Sequence, residues 1–212
     1  MILLEIALIL ALVAGDYADL VPVSSTPYFL ALGWASLRRR HMRWRDVGLS
    51  RPASWGRALA IGVAAGIAME LFSTFVTLPL WSRLFGVPPD LSDFRPVVGN
   101  PRVLALALAL NWTLAAFGEE MSFRGYVLNR LADAGGRTRA AWGAALVTSS
   151  VLFGLAHGSQ GVTGMAQESL AGLMLGALYL ACGRNLWPPI VAHGVGNTLA
   201  FVLIYFDRYP GV

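Results

Sequence analysis

A carboxylate, two imidazoles and an amide stand at helical spacings in the apolar C-terminal part of this 212-residue chain: Glu119, His157, His193 and Asn197. Glu119 and Glu120 follow the apolar run Val103–Phe117 across Gly118. An ionisable side chain at the centre of a membrane helix costs about 2.5–3.5 kcal/mol on insertion scales, so paired acids there either mark the helix leaving the bilayer or do chemistry. Glu120 and Arg124 are four residues apart with the acid first, the favourable order for an ion pair on one helical face. Glu119 is turned about 100° from Glu120 around the helix and is left to face something else. Phe153 and His157 share a face in Phe153-Gly-Leu-Ala-His157, and so do the ends of His193-Gly-Val-Gly-Asn197. Three polar clusters on three apolar helices are most economically one convergent site. His41, among arginines, is expected to be solvated.

A carboxylate beside an imidazole can hold and deprotonate water, and a low-dielectric setting makes that carboxylate a stronger base. A second imidazole with an amide N–H can stabilise the oxyanion of a tetrahedral intermediate. Together these groups suit amide hydrolysis. Glu119, His157 and His193 are equally a two-histidine, one-glutamate set of the kind that holds catalytic zinc with an open position for water. No His-Glu-x-x-His helix is present, and spacing leaves both mechanisms open. Neither a Ser/His/Asp nucleophile set nor a Gly-rich phosphate loop is found. The single cysteine, Cys182, excludes an internal disulfide framework and reads as a small buried hydrophobe beside Gly183.

Composition says what must carry these groups. The chain is 56% hydrophobic and only 13% charged, with mean hydropathy +0.60. Soluble domains carry about a quarter charged residues, because a water-facing surface needs them. An all-α, polytopic transmembrane bundle of six to seven helices follows, with an intramembrane catalytic site. Residues 1–100 are expected to form N-terminal transmembrane helices and a basic cytoplasmic loop, and residues 101–208 the catalytic core of one integrated membrane domain. Ile2–Ala14 is short against the roughly 20 residues a span needs, and Val21–Leu37 is interrupted by Pro22 and Pro27; the two are expected as a tilted or partly interfacial pair. No basic stretch precedes the first run, so it reads as a retained helix and not a cleaved signal. Gly56–Leu80, ended by Pro79, is a clear span. Val103–Phe117 runs on into Met121–Leu131, and Ala140–Ala156, Met165–Ala181 and Leu186–Phe206 complete the set.

All 16 basic residues are arginine. Arg38, Arg39, Arg40, Arg43, Arg45, Arg51 and Arg57 lie between the second and third segments; Arg124, Arg130, Arg137 and Arg139 follow the fourth, and Arg184 the sixth. Arg83, Arg95, Arg102 and Arg208 fall on the other side. The positive-inside rule makes the arginine-rich side cytoplasmic. A multi-pass protein of a bacterial plasma membrane is expected, its site toward the cytoplasmic side, its partners lipids and a membrane-associated protein or peptide, and not nucleic acid despite a pI near 9.7. Trp44, Trp55, Trp81, Trp112 and Trp187 suit an interfacial belt. Gly172 and Gly176 suit a close helix crossing. Glu168 is expected at an interface, and Glu70 in a pair with Arg124 or another polar group.

Glu119-Glu120-Met-Ser-Phe-Arg124-Gly125, then Phe153-x-x-x-His157, then His193-x-x-x-Asn197 resemble the three motifs of the CAAX protease and bacteriocin-processing (CPBP) intramembrane proteases. Gly176-Ala-Leu-Tyr179 and Leu186-Trp-Pro-Pro-Ile-Val-Ala-His193 resemble the lead-in to the third motif, and the likeness spans Pro101 to Phe206. It implies an α-helical intramembrane endopeptidase, with prenylated CAAX proteins as substrates in the eukaryotic branch. By motif, Glu119 and His157 would activate water, His193 and Asn197 would form the oxyanion hole, and Glu120, Arg124 and Phe153 would support them. It further implies a metal-free glutamate mechanism with no cofactor required; zinc on Glu119, His157 and His193 is the alternative. A non-catalytic immunity or scaffold protein on the same fold is the rival class. A small transporter would need polar residues through both leaflets, and here they gather toward one side.

Overall fold

The computed structural model describes residues 2–18, 20, 21 and 24–210. Seven helical rods build it, and no strand occurs among the described residues. They are α1 (Ile2–Tyr17); α2 (Thr26–Arg39); α3 (Trp55–Phe72) running through a π-helical turn, Ser73–Thr77, into α4 (Leu78–Phe85); α5 (Pro101–Leu110) running through a π-helical stretch, Asn111–Leu128, into α6 (Asn129–Ala134); α7 (Arg139–Leu155); α8 (Gly161–Ala181); and α9 (Trp187–Tyr205). The all-α transmembrane bundle is therefore correct.

Three rods are long and apolar enough to cross a bilayer: Trp55–Phe85 (31 residues), Pro101–Ala134 (34) and Trp187–Tyr205 (19). α7 and α8, expected as two spans, meet at a 66° bend and are long and apolar enough to cross only when taken together. The prolines also behave differently from expectation. Pro27 sits in the first turn of α2, where its missing N–H costs nothing, and so starts the helix; Pro22 lies outside the described residues. Pro79 does not end its helix. The wider turn just before it absorbs the lost hydrogen bond, and Gln167 of α8 staples that turn: its Nε2 donates to Ser73 Oγ at 2.8 Å and its Oε1 accepts from Thr77 Oγ1 at 2.7 Å.

α3 shows how such a helix divides between protein and lipid. Ala58, Gly62 and Gly66 form a small-residue stripe against α9, and a Cβ on Gly66 would lie 2.5 Å from the Ala192 carbonyl oxygen. Leu59, Val63, Ile67 and Leu71, also four apart, are exposed. Close backbone approach on one face and bare aliphatic side chains on the other are what a bilayer selects. Gly172 and Gly176 do the same in α8, against Ser150, Phe153 and Leu146 of α7. Trp55 and Trp187 meet edge to face at 5.0 Å where α3 and α9 begin. Trp44 is partly buried against both core clusters, and Trp112, 40% exposed, fills the space beside Gly194.

The two ends of the bundle are distinct. At one, the arginine-rich loops join: Arg40 pairs with Asp133 at 2.6 Å, Leu186 N donates to Gly48 O at 2.9 Å, and Tyr179 Oη donates to Val47 O at 2.9 Å. Gly48 has φ 114°, and a Cβ there would strike the Arg184 carbonyl, so only glycine fits. At the other end Asp90 N donates to Gln160 O at 3.0 Å and Gly99 N to Tyr205 O at 3.0 Å.

Glu5, the acid inside the first apolar run, is buried. It accepts from Arg130 Nε at 2.6 Å and from Ser36 Oγ at 2.6 Å, tying α1 to α2 and α6. Glu5→Ala strands the Arg130 charge, and breaking one side of a buried pair costs about 3–5 kcal/mol. A large fall in the thermal midpoint of the detergent-solubilised protein is the expected result; an unchanged midpoint would mean the pair adds nothing.

Candidate active site

The π-helical stretch is the centre of the molecule. Its Phe123, Tyr126 and Val127 pack with Ile9, Val13, Phe29, Leu152 and Phe153, while Met121 and Leu128 pack with Tyr179, Leu186 and Ile190. Local widening of a membrane helix recurs at functional sites. Here the widened helix continues to Ala134, so Glu119 and Glu120 do not mark its end.

Glu120 is fully buried, and its Oε1 accepts twice: from Arg124 Nη1 at 2.8 Å and from His193 Nδ1 at 2.9 Å. Arg124 also donates to the Gly172 carbonyl at 3.1 Å and lies 4.5 Å over the Phe153 ring. The expected i, i+4 pair exists, and it reaches across the bundle to orient His193. With Nδ1 so engaged, His193 turns Nε2 toward Glu119, whose Oε2 is 4.0 Å away. Opposite, Asn111 Nδ2 donates to the Gly194 carbonyl at 3.0 Å, fixing the turn of α9 that follows His193.

His157 stands at the bend between α7 and α8. Its Nδ1 lies 2.8 Å from the Phe153 carbonyl oxygen, and a carbonyl can only accept, so Nδ1 carries a proton and Nε2 is the atom left for chemistry. The Phe153 ring contacts both imidazoles, with centroids 4.8 Å from His157 and 6.3 Å from His193. It packs between the two rings.

Glu119, His157, His193 and Asn197 all line one cavity of about 570 Å³. The four sequence-chosen residues therefore converge, and Phe153 lines the same space. Glu70 lines it too, and so, contrary to expectation, does Glu168. Arg124 is committed to Glu120, so Glu70 instead accepts from Thr74 Oγ1 at 3.0 Å; Glu168 faces the cavity and not an interface. Burial first, then the Glu70 and Glu168 carboxylates, push the Tyr209 hydroxyl above its ordinary value, so it stays protonated. Among the described residues the lining contains no arginine.

Asp93, Phe94, Val97, Gln160 and Tyr209, all from the arginine-poor end, line it as well. The expectation of a site toward the arginine-rich side rested on those loops, and these lining residues come from the opposite end. α7 begins at Arg139 and reaches His157 only after its full 17 residues, which carries the imidazole away from the basic loops.

Zinc ligands lie about 2.0–2.2 Å from the metal at tetrahedral angles, so two of them sit roughly 3.4 Å apart. His193 Nε2 and Glu119 Oε2 are wider than that, at 4.0 Å, and among the described residues no three His, Cys, Asp or Glu side chains converge as a metal site would require. As placed, the donors do not fit zinc.

Residues 101–199 match the family model for type II CAAX prenyl endopeptidases, Rce1-like. That segment is similar to the CPBP family of membrane proteases. No curated protein and no solved structure matches the chain. The CPBP match covers the π-helical stretch, the α7–α8 bend and most of α9, the elements that carry the converging side chains. α3 and the π-helical turn after it supply Glu70 and Ser73 to the same cavity from outside the matched segment.

Proposed function

We propose that this protein is an intramembrane endopeptidase in which Glu119 and His157 activate water and His193 and Asn197 receive the oxyanion. The observation that carries it is the cavity itself, where a carboxylate faces an oriented imidazole Nε2 at 4.0 Å with a second imidazole and an amide in the same wall.

Water held between the Glu119 carboxylate and His157 Nε2 loses a proton to this pair as its oxygen attacks the peptide carbonyl carbon. The carbonyl oxygen becomes an oxyanion and takes N–H donors from His193 Nε2 and Asn197 Nδ2. His193 Nδ1–H already donates to Glu120, so Nε2 donates when the ring carries both protons, with Glu120 as counter-charge. The tetrahedral species collapses with cleavage of the C–N bond, and the proton taken from water passes to the leaving amine. The substrate is a membrane-associated protein or peptide, and no step requires a metal.

Two measurements bear on this. Membranes from cells making His157→Ala are expected to accumulate a precursor that wild type clears; an identical protein inventory, with the cellular phenotype kept, would favour the scaffold alternative. Exhaustive chelation of the purified protein is expected to leave cleavage unchanged, whereas loss of activity restored by added zinc would establish a metal mechanism.

A further inference from the structure

We propose that the cavity is entered from the extracytoplasmic side of the membrane, so that the polypeptides cut there present their scissile segment outside the cytoplasm. This rests on the proteolytic function above for the word "cut", but the orientation stands on separate observations.

The arginine-rich loops form one physical surface. The loop before α3, the α6–α7 turn and the α8–α9 turn are joined by the Arg40–Asp133 pair, by Leu186 N donating to Gly48 O, and by Asn185 Nδ2 donating to Ser50 O at 3.1 Å. Arg137 and Arg184, from two of these turns, flank the same Trp142 ring at 4.8 and 5.3 Å. A surface this rich in arginine stays on the cytoplasmic side during insertion. α7 then spans about 25 Å from Arg139 before reaching His157, at 1.5 Å per residue. The cavity wall contains no residue of the arginine-rich loops among those described, whereas Asp93, Phe94, Gln160 and Tyr209 of the opposite end line it. The basic surface and the mouth are at opposite ends of one bundle. With Asp93, Glu70 and Glu168 in the wall and no arginine to hold an anion, the entering segment is uncharged or cationic.

Single-cysteine variants in a Cys182→Ser background test the orientation without reference to activity. Ala53→Cys reports the arginine-rich end; Ser92→Cys reports the mouth, and Ser159→Cys repeats that measurement at the α7–α8 bend. All three positions are exposed. A charged, membrane-impermeant maleimide applied to intact cells should label Ser92→Cys and Ser159→Cys, and label Ala53→Cys only after permeabilisation. The reverse pattern, labelling of all three in intact cells, or labelling of none until permeabilisation would each overturn the orientation. The substrate half is read by mapping protein N-termini that appear with wild type and vanish with Glu119→Gln. They should fall in extracytoplasmic segments of membrane-anchored proteins. Cytoplasmic termini would overturn it. If no termini differ, the proteolytic function fails while the orientation read from labelling stands.

Discussion

Glu119→Gln is expected to reduce cleavage by about a thousandfold or more while the protein inserts and purifies normally. Removing a general base alone costs roughly 10²–10⁴ in rate, and the same side chain is also asked to hold the water and return its proton. The substitution keeps shape and removes only charge. Glu119 has no charged partner closer than His193 at 4.0 Å and its side chain is 17% exposed, so no buried cation is stranded. The thermal midpoint should therefore stay within a few degrees, since about 1 kcal/mol moves a chain of this size only about 2–4 °C. Kinetics and thermal unfolding on one preparation check both halves. Retained cleavage would remove Glu119 from the mechanism, and lost cleavage with a collapsed midpoint would make it structural.

The second large effect is expected at Glu120, which touches no reacting atom. It is a positioning residue: one oxygen holds both His193 Nδ1 and Arg124 Nη1. Glu120→Gln leaves an oxygen in reach of Arg124 but also offers an NH₂ that can present the wrong partner to His193. The amide also removes the counter-charge of the doubly protonated ring, and an acid-to-amide change beside a catalytic histidine costs about 10⁴ where it has been tested. Because His193 is proposed to bond an oxygen whose charge appears only in the transition state, the loss should fall on kcat with KM little changed. A raised KM at constant kcat would instead make Glu120 a substrate-binding group. Arg124, with its side chain 3% exposed, loses its counter-ion in the same variant, so a stability loss of about 3–5 kcal/mol is expected alongside.

The motif residues were legible in the sequence because charge and imidazole are costly among apolar side chains and therefore informative. Glu119, His157, His193 and Asn197 met in one cavity as their spacing suggested. What sequence could not carry were partnerships between distant positions. Glu5–Arg130 spans most of the chain, and nothing local to the first helix announces that its acid has a partner there. The clamp from Asn111 to the Gly194 carbonyl had one available signal, an amide interrupting the apolar run Val103–Phe117. Gln167 and Glu168 likewise interrupt α8, where reading Glu168 as interfacial overlooked that Gln167 is buried. The π-helical geometry has no periodicity signal of its own, since a widened helix keeps nearly the same apolar pattern. The end of the bundle that His157 approaches was hidden for a related reason. Counting arginines identifies a face of the membrane, but only the run of α7 shows which face His157 approaches.

The central claim is that Glu119 and His157 act on one water as a single unit. The most direct test reconstitutes purified protein with the precursor that accumulates in inactive cells and measures cleavage by wild type, Glu119→Gln, His157→Ala and the double variant. The expected result is that each single variant loses nearly all activity and the double loses no more than either, because groups acting on one proton transfer are strongly non-additive. Losses that simply multiply, or normal processing of the precursor by Glu119→Gln, would contradict it.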